Sequence, residues 1–391
     1  KLLSNSIFEI KRKQHQLRLA EFNERNKTLV NKRKMFRNFV ETNAMNEHVA
    51  ATLPTYYRHL FSGKQVFNKQ SAIDRDFEID QAVAALNKGE TGGVLVISEP
   101  LAGKSHFVES MLHQINPLRI VRVLPPPQGI NENSELLAAF QKSTGLEGNF
   151  FNIMSSLPEG TVFTFNKLEL WWLRKKNGGK FIDQLVWLIE RYGERHRFIL
   201  TMNIYAYDII RQVTNIDSVL AATIILPPAN NRALSELMLN RHQLAGVDIL
   251  FENKPDKKPT HRELLKHFEK FANGANGNIG VAMLRWLASI QKYEGDTVYV
   301  SAYKEQKLPS LFPITWGVLL THIVLHEKLH LNNILEIFEL QDKATVHRVV
   351  KELSYTKLIK EDSKNTYMIE PLVLKWVIEQ LKTQNYLNKY E

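Results

Sequence analysis

Five short apolar runs, separated by segments with helical spacing, occupy the middle of the chain. Each run is rich in Val, Ile, Leu or Phe: residues 92–98, 119–124, 161–165, 197–202 and 222–226. Continuous apolar runs of this length are typical of strands buried on both faces of a parallel sheet. Because helical segments lie between them, the pattern predicts an α/β fold with helices covering the sheet.

The pattern changes on both sides of this block. Residues 1–51 contain no Gly or Pro and carry scattered apolar positions, which predicts one long, loosely amphipathic helix. Residues 230–293 are helical throughout in this interpretation, and Pro309 and Pro313 mark the start of a last small unit. The sequence therefore predicts four segments, with the following bounds: a helical arm (1–52), an α/β domain (53–228), a helical segment (229–308) and a C-terminal domain (309–391).

Composition and charge limit the kinds of site and of binding partner that the sequence allows. The 391 residues include no cysteine, which excludes disulfides and thiolate zinc sites. Residues 1–40 hold eleven Lys or Arg, among them Lys11, Arg12 and Lys13, against three acidic residues, so they carry a net +8 of the total of +10. This arm predicts contact with nucleic acid or an anionic membrane face, and a solvated helical strut is the alternative.

No long apolar segment is present in the sequence. No run reaches the roughly 18 residues that cross a bilayer, and no signal-peptide pattern opens the chain. We expect a cytoplasmic location, with membrane association only through the basic arm or a segment upstream of Lys1.

Residues 98–105, SEPLAGKS, join the first predicted strand to a helix. A phosphate-binding loop (P-loop) needs backbone N–H groups around the phosphates, a Lys for the β and γ oxygens, and a hydroxyl for Mg²⁺. Gly103, Lys104 and Ser105 supply these groups, while Ser98 replaces the first glycine of the motif and Glu99 follows it. These five residues are the candidate cofactor-binding residues, with Ser105 as the Mg²⁺ ligand.

The order of further motifs resembles that of AAA+ and STAND NTPases, and of origin-recognition initiators in particular. Residues 73–78 (IDRDFE) look like the box that precedes the P-loop, which implies that Arg75 lies near the nucleotide base. Residues 198–203 (FILTMN) are similar to a sensor 1 strand ending in Asn203, and residues 262–290 resemble the lid. The resemblance implies binding of ATP or ADP with Mg²⁺, and assembly into a homo-oligomer or a larger complex.

The positions that hydrolysis needs depart from this family. Its Walker B motif has an Asp for the Mg²⁺-bound water and an adjacent acid, but here those positions are Asn166 and Lys167. A charged Lys is no base and repels the metal, and Glu169 is the nearest replacement acid. The sensor 2 Arg of the family would lie at Gly280. We therefore expect weak or absent hydrolysis from the candidate catalytic residues, Asn166, Lys167, Glu169 and Asn203.

Two interpretations compete for the C-terminal domain. Its predicted order of three helices, two strands and a helix resembles a winged helix, whose third helix binds DNA or protein. The rival motif is HEKLH at residues 326–330, which on a helix would offer two imidazoles to zinc, as in a metalloprotease; Lys328 and the fit to a winged helix argue against it. The candidate nucleic-acid contacts are Lys343, Thr345, His347, Arg348, Lys351 and, in the wing, Lys364.

These features predict a nucleotide-binding regulatory switch that couples its nucleotide state to an oligomer, DNA or protein partner. Two alternatives stay open. One is a non-enzymatic scaffold or signalling protein with a vestigial P-loop. The other is an active ATPase that uses Glu169 or an acid supplied in trans.

Overall fold

The computed structural model of the protein describes residues 29–62, 72–88, 92–125, 134–176, 178–254 and 256–388. Most of the predicted basic arm, including Lys11, Arg12 and Lys13, lies outside these residues. No helix in the described part of the chain is long and apolar enough to cross a membrane.

A five-stranded parallel sheet forms the centre of the molecule. Its strands are β1 (Gly93–Ser98), β2 (Ile120–Val123), β3 (Val162–Phe165), β4 (Arg197–Asn203) and β5 (Leu220–Ile225). They lie in the order β2-β3-β4-β1-β5, and every neighbouring pair is parallel. All residues of β1 and β3 are buried, as expected for strands covered on both faces. The predicted α/β fold is confirmed.

Helices cover the sheet on two sides: α4 (Asp76–Asn87), α5 (Lys104–Ile115), α6 (Ser134–Thr144), α7 (Phe150–Ser156), α8 (Lys180–Tyr192) and α9 (Ile204–Val213). Successive residues of a strand point to opposite faces. Val94 and Val96 accordingly pack in one core with α4 and α5, and Leu95 and Ile97 pack in the other with α6, α7 and α8. The short loop from β1 to α5 is therefore fixed at both ends by buried elements.

The segment after the sheet is not all helical, which corrects the prediction. It contains α10 (Asn231–Leu244), α11 (His261–Gly274) and α12 (Ile279–Ser289), and also β6 (Asp248–Phe251), β7 (Ile290–Glu294) and β8 (Thr297–Val300). These strands form a sheet in the order β6-β8-β7. Gly295 and Asp296 both have positive φ (53° and 57°), the conformation that closes a tight hairpin. Alternate burial of Val298 and Val300 then fixes the face of β8.

Within residues 29–52, the described part of the predicted arm, there are two helices rather than one. A first helix, α1, covers residues 29–43, and α2 (Glu47–Thr52) and α3 (Thr55–Phe61) follow it. The predicted continuous helix is wrong at Asn46, whose side chain accepts a hydrogen bond from the His48 N–H and caps α2 instead. Phe36 of α1 is fully buried against the C-terminal segment, whereas Tyr57 and Phe61 of α3 lie in the core of the segment after the sheet.

The C-terminal segment contains α13 (Ile314–His326), β9 (Lys328–His330), α14 (Leu331–Ile337), α15 (Lys343–Tyr355), β10 (Ile359–Ser363), β11 (Thr366–Ile369) and α16 (Leu374–Thr383). Its strands form an antiparallel sheet in the order β10-β11-β9. Its interpretation as a winged helix stays a prediction. Its core is continuous with one face of the central sheet, because residues such as Trp316 and Leu381 share a cluster with Leu95. This packing brings α13 and α16 to the candidate site.

Candidate functional site

The candidate phosphate-binding loop joins β1 to α5 and ends in a left-handed glycine. Gly103 precedes α5 with φ 98°, in the left-handed region that favours glycine. The first turn of α5 receives no side-chain cap at Gly103, so its N–H groups remain available to an anion. Ser98, which replaces the first glycine, is buried and donates its hydroxyl to the Glu99 carbonyl oxygen at 2.9 Å. The loop therefore stays ordered without that glycine.

Lys104 lies over the loop that precedes it. Its Nζ lies 3.3 Å from the Ser98 carbonyl oxygen, 3.2 Å from Ser98 Oγ and 3.2 Å from the Glu99 carbonyl oxygen. Burial lowers the pKa of Lys104, and the nearby Glu169 carboxylate acts in the opposite direction. An incoming phosphate would exchange with these neutral oxygen atoms rather than break an ion pair.

The segment after the sheet, here called the lid (229–308), holds the outer side of the loop. Asn278 Nδ2 donates to the Pro100 carbonyl oxygen at 2.9 Å, and the Gly280 N–H donates to the Leu101 carbonyl oxygen at 3.0 Å. A Cβ at Gly280 would lie 2.8 Å from Leu101 Cβ, which is too close. The position expected for a sensor 2 arginine is thus a glycine because the loop touches the lid backbone there.

Two arginines near the site are held by other groups. Arg285 donates to the Gly274 carbonyl oxygen, and its guanidinium lies 4.1 Å from the ring centre of Trp376. Arg75, predicted near the nucleotide base, is buried and donates to the Pro227 carbonyl oxygen at 2.8 Å. Arg75 thereby ties the start of α4 to the residues after β5.

The Walker B positions directly follow β3. Lys167 has φ 63°, donates its N–H to Thr201 Oγ1 at 2.8 Å and forms an ion pair with Glu327 of the C-terminal segment. Burial alone would lower the pKa of Lys167, but Glu327 more than offsets it, and the pKa is raised. Asn166 Oδ1 is buried and has no hydrogen-bond partner among the described residues. Position 167 therefore holds a lysine paired with Glu327, and position 166 holds an amide oxygen that accepts no hydrogen bond from the described residues.

Glu169 reaches the same place despite its later position in the sequence. It is 1% exposed, and its Oε2 accepts the Asn203 backbone N–H at 3.2 Å. Burial raises the pKa of Glu169 to about 7; Lys104 opposes this rise and Glu327 adds to it. The replacement acid proposed from the sequence thus lies within electrostatic reach of Lys104.

Asn203, the predicted sensor 1 residue, has both amide atoms hydrogen-bonded to other groups of the protein. Its Oδ1 accepts the Ala206 N–H at 2.8 Å and caps α9. Its Nδ2 donates to the Val324 and Leu325 carbonyl oxygens at 3.2 Å each. The end of α13 therefore engages the amide donor of Asn203.

The HEKLH motif does not form a zinc site, which corrects the rival interpretation. α13 ends at His326, Glu327 has φ 61°, and Lys328–His330 is a strand, so the two imidazoles do not share a helix face. Burial lowers the pKa of His326 to about 3. The described residues contain no group of three or more His, Cys, Asp or Glu that could hold a metal ion. A metalloprotease active site is absent from this part of the chain.

An ion cluster on the loop was missed by sequence reasoning. Glu99 accepts from Tyr205 Oη at 2.8 Å and pairs with Lys375 at 2.9 Å and Lys382 at 3.1 Å, both on α16. Burial alone would raise the pKa of Glu99, but the two ammonium groups lower it to about 2. The seven-residue spacing of the lysines puts them on one helix face. No local signal in the sequence links them to residue 99.

The candidate nucleic-acid residues are mostly at the surface. Thr345 instead donates its hydroxyl and N–H to Asp342, which caps α15. Glu352, which interrupts the basic pattern in sequence, is buried, pairs with Arg33 of α1 and accepts from Trp316 Nε1. It therefore leaves the exposed face of α15. The remaining candidates are exposed: Lys343, His347, Arg348, Lys351 and Lys364.

Comparisons with known proteins give likeness of fold at low identity. The sequence matches no protein-family model and no curated protein. The Aeropyrum pernix ORC2 structure (ADPNP-ADP complexes) covers 84% of this chain and 98% of its own, at 12% identity and TM-score 0.41. Pyrobaculum aerophilum Cdc6p covers the same shares at 10% identity and TM-score 0.44. A Thermotoga maritima RuvB structure covers 81% and 96%, at 13% identity and TM-score 0.39. Function is therefore argued from this chain's own residues.

Proposed function

We propose that this chain is an ATP- and ADP-binding regulatory module with weak or absent hydrolysis. The supporting observation is the loop before α5: Gly103 is left-handed, the helix start has no side-chain cap, and the hydrogen bonds of Lys104 to the described residues all go to neutral oxygen atoms. In this proposal Lys104, Ser105 and the first N–H groups of α5 bind the phosphates, and Arg75 lies toward the base side.

The residues present fit a magnesium ion held together with the nucleotide. Ser105 is exposed in the first turn of α5, and Asn166 Oδ1 is a buried acceptor without a partner among the described residues. Mg²⁺ prefers oxygen ligands and keeps several of its waters, so the Ser105 hydroxyl and the Asn166 amide oxygen would hold it together with the phosphates, without the carboxylate that Mg²⁺ sites usually contain. When bound, the ion would neutralise phosphate charge.

Weak hydrolysis is proposed because the side chains that would activate a water are engaged elsewhere. Lys167 is a cation paired with Glu327, and the Asn203 amide is bonded to the end of α13. Glu169 is nearly inaccessible to water. A water at the γ-phosphate would lack both a free base and a positioning amide.

Coupling to partners is proposed through the C-terminal segment. Its contacts with the candidate site involve Glu327 at Lys167, the end of α13 at Asn203, and α16 at Glu99. A nucleotide that favours one arrangement of these contacts would select one arrangement of the segment. The segment would in turn favour an oligomer, DNA or a protein partner, and residues 1–40 add a basic surface for nucleic acid or membrane.

Calorimetric titration of ATP and ADP, each with Mg²⁺, tests the proposal. We expect micromolar binding that is lost in Lys104→Ala, because the ammonium supplies the main side-chain contact to the phosphates. Lys258→Ala, which removes an exposed lysine paired with Asp248, is the matched control and should bind normally. Absence of binding in the unmodified chain would sink the proposal.

That negative result would favour the scaffold alternative, which has an observation of its own. Lys104 is already hydrogen-bonded to three oxygens of its own loop, and the lid holds the carbonyl groups of Pro100 and Leu101. A loop satisfied in this way needs no ligand to be stable.

An active ATPase is the second candidate, and Glu169 supports it. Its pKa, raised to about 7, suits a general base near neutral pH. In that case phosphate release from ATP would fall at least about tenfold in Glu169→Gln while ATP binding persists. Release at background level in the unmodified chain would exclude this candidate and leave the non-hydrolysing switch.

A further inference from the structure

We infer that Lys375 and Lys382 of α16 belong to the phosphate site: they neutralise Glu99 and supply the positive charge that lets the loop accept a nucleoside di- or triphosphate. The inference rests on the proposed nucleotide binding and adds the C-terminal helix to the site. It starts from Glu99, an acidic residue inside a loop whose proposed ligand is anionic. An uncompensated carboxylate there would repel phosphate groups.

Two lysine side chains compensate the negative charge of that carboxylate. Lys375 pairs with Oε2 of Glu99 and Lys382 pairs with Oε1, so two ammonium groups face one carboxylate and leave one positive charge in excess. The side chain of Lys375 is 9% exposed and that of Lys382 is 18% exposed. Solvent therefore screens these charges less than it would at the surface.

Both lysines are connected to Lys104 through one intervening residue, Glu99. They contact the carboxylate of Glu99, and the carbonyl oxygen of that residue lies 3.2 Å from Lys104 Nζ. Lys382 Nζ also lies 5.3 Å from the ring centre of Tyr205, two residues beyond Asn203. Since Asn203 and Ser98 are register partners in neighbouring strands, this cluster lies at the end of the sheet from which the loop starts.

Between the described residues of the lid and the loop, the hydrogen bonds involve no cationic side chain. Those contacts come from Asn278 and Gly280, and Arg285 is bonded to the Gly274 carbonyl oxygen. The ion pairs of Glu99 bring two further cations to the loop, and both come from the C-terminal segment. Separating α16 from the loop would remove two cations and expose one anion, a net loss of two positive charges.

Titration of ATP and ADP into Lys375→Met/Lys382→Met tests the inference. Methionine keeps most of the aliphatic packing and removes only the charge. We expect ATP affinity to fall about tenfold or more, and ADP affinity to fall less because ADP carries less charge. The matched control is Lys258→Met/Lys292→Met, which removes two exposed, paired lysines of the lid and should bind like the unmodified chain.

Adding Glu99→Gln to the double variant separates charge from anchoring. This triple variant lacks the repelling anion as well as both cations, so most of the lost affinity should return. If the lysines only anchor α16, the triple variant will bind as weakly as the double variant, and the inference is wrong. Normal ATP affinity in the double variant would also overturn it, while the Lys104→Ala result would still stand. Absence of binding in the unmodified chain would remove both proposals.

Discussion

At the scale of single residues, the half-buried Glu99 and the buried Glu169 show how neighbouring cations decide the charge of the site. Two ammonium groups contact Glu99, and its pKa is about 2. Burial dominates at Glu169, which has Lys104 as its main favourable neighbour and Glu327 as an opposing one, and its pKa is about 7. Glu99 is therefore ionised at neutral pH, whereas Glu169 changes charge near neutrality.

The raised pKa of Glu169 predicts a pH-dependent stability difference. An acid whose pKa is higher in the folded state stabilises that state below its unfolded value, here 4.5, and the contribution is lost as pH rises through about 7. Thermal unfolding of the unmodified chain and of Glu169→Gln should show the variant gaining relative stability between pH 4.5 and pH 8. The exposed Glu194→Gln serves as the control. A constant difference across this range would contradict the assigned environment.

At the scale of elements, the strands that could be predicted from the sequence are those with continuous runs of buried residues. The strands of the central sheet were predictable because β1 and β3 are buried at every position. The lid hairpin was missed because only Val298 and Val300 of β8 are buried, too few positions to establish a period. The break before α2 was missed because it depends on one Asn side chain.

The site was predictable where its chemistry is local in sequence. Lys104 and Ser105 follow one strand and open one helix, so a short motif identifies them. The partners of Glu99 lie 276 and 283 residues away in sequence, and the amide of Asn203 is engaged 121 residues away. Such contacts depend on how the segments pack, and a single sequence contains no record of that packing.

Helix α15 carries a testable basic surface. With Glu352 buried, Lys343, His347, Arg348 and Lys351 remain on its exposed face. We expect weak duplex DNA binding that falls with salt, since contacts to phosphate release counterions. In Lys343→Ala/Arg348→Ala the slope of log affinity against log salt should shrink by about 1 for each lost contact.

The control for that measurement is Lys258→Ala/Lys292→Ala, which removes the same number of cations from the lid. Equal loss of DNA binding in both double variants would show that DNA is attracted by the net charge of the protein alone and not by the surface of α15. No binding even at low salt would leave a protein as the partner of this helix.

At the scale of the whole molecule, the two ends of the described chain meet. Phe36 of α1 packs against Phe312 and Trp316, with ring centres 5.4 Å and 5.8 Å away, and Phe39 packs against Trp376 of α16. The two helices that follow α1 in the chain, α2 and α3, pack in the core of the lid. The α/β domain is thus flanked by two segments that the preceding helices hold in place.

The position of α1 also links it to the candidate site through the C-terminal segment. Helix α1 comes before the sheet in the chain, yet its aromatic side chains are fastened to the segment that comes after it. Displacement of α1 would act directly on α13 and α16 through these aromatic contacts. Lys375 and Lys382 of α16 in turn contact Glu99, so movement of α16 would act on the start of the loop before α5. The first described helix is therefore linked through α16 to the loop that precedes α5, although it lies 56 residues or more before that loop in the sequence.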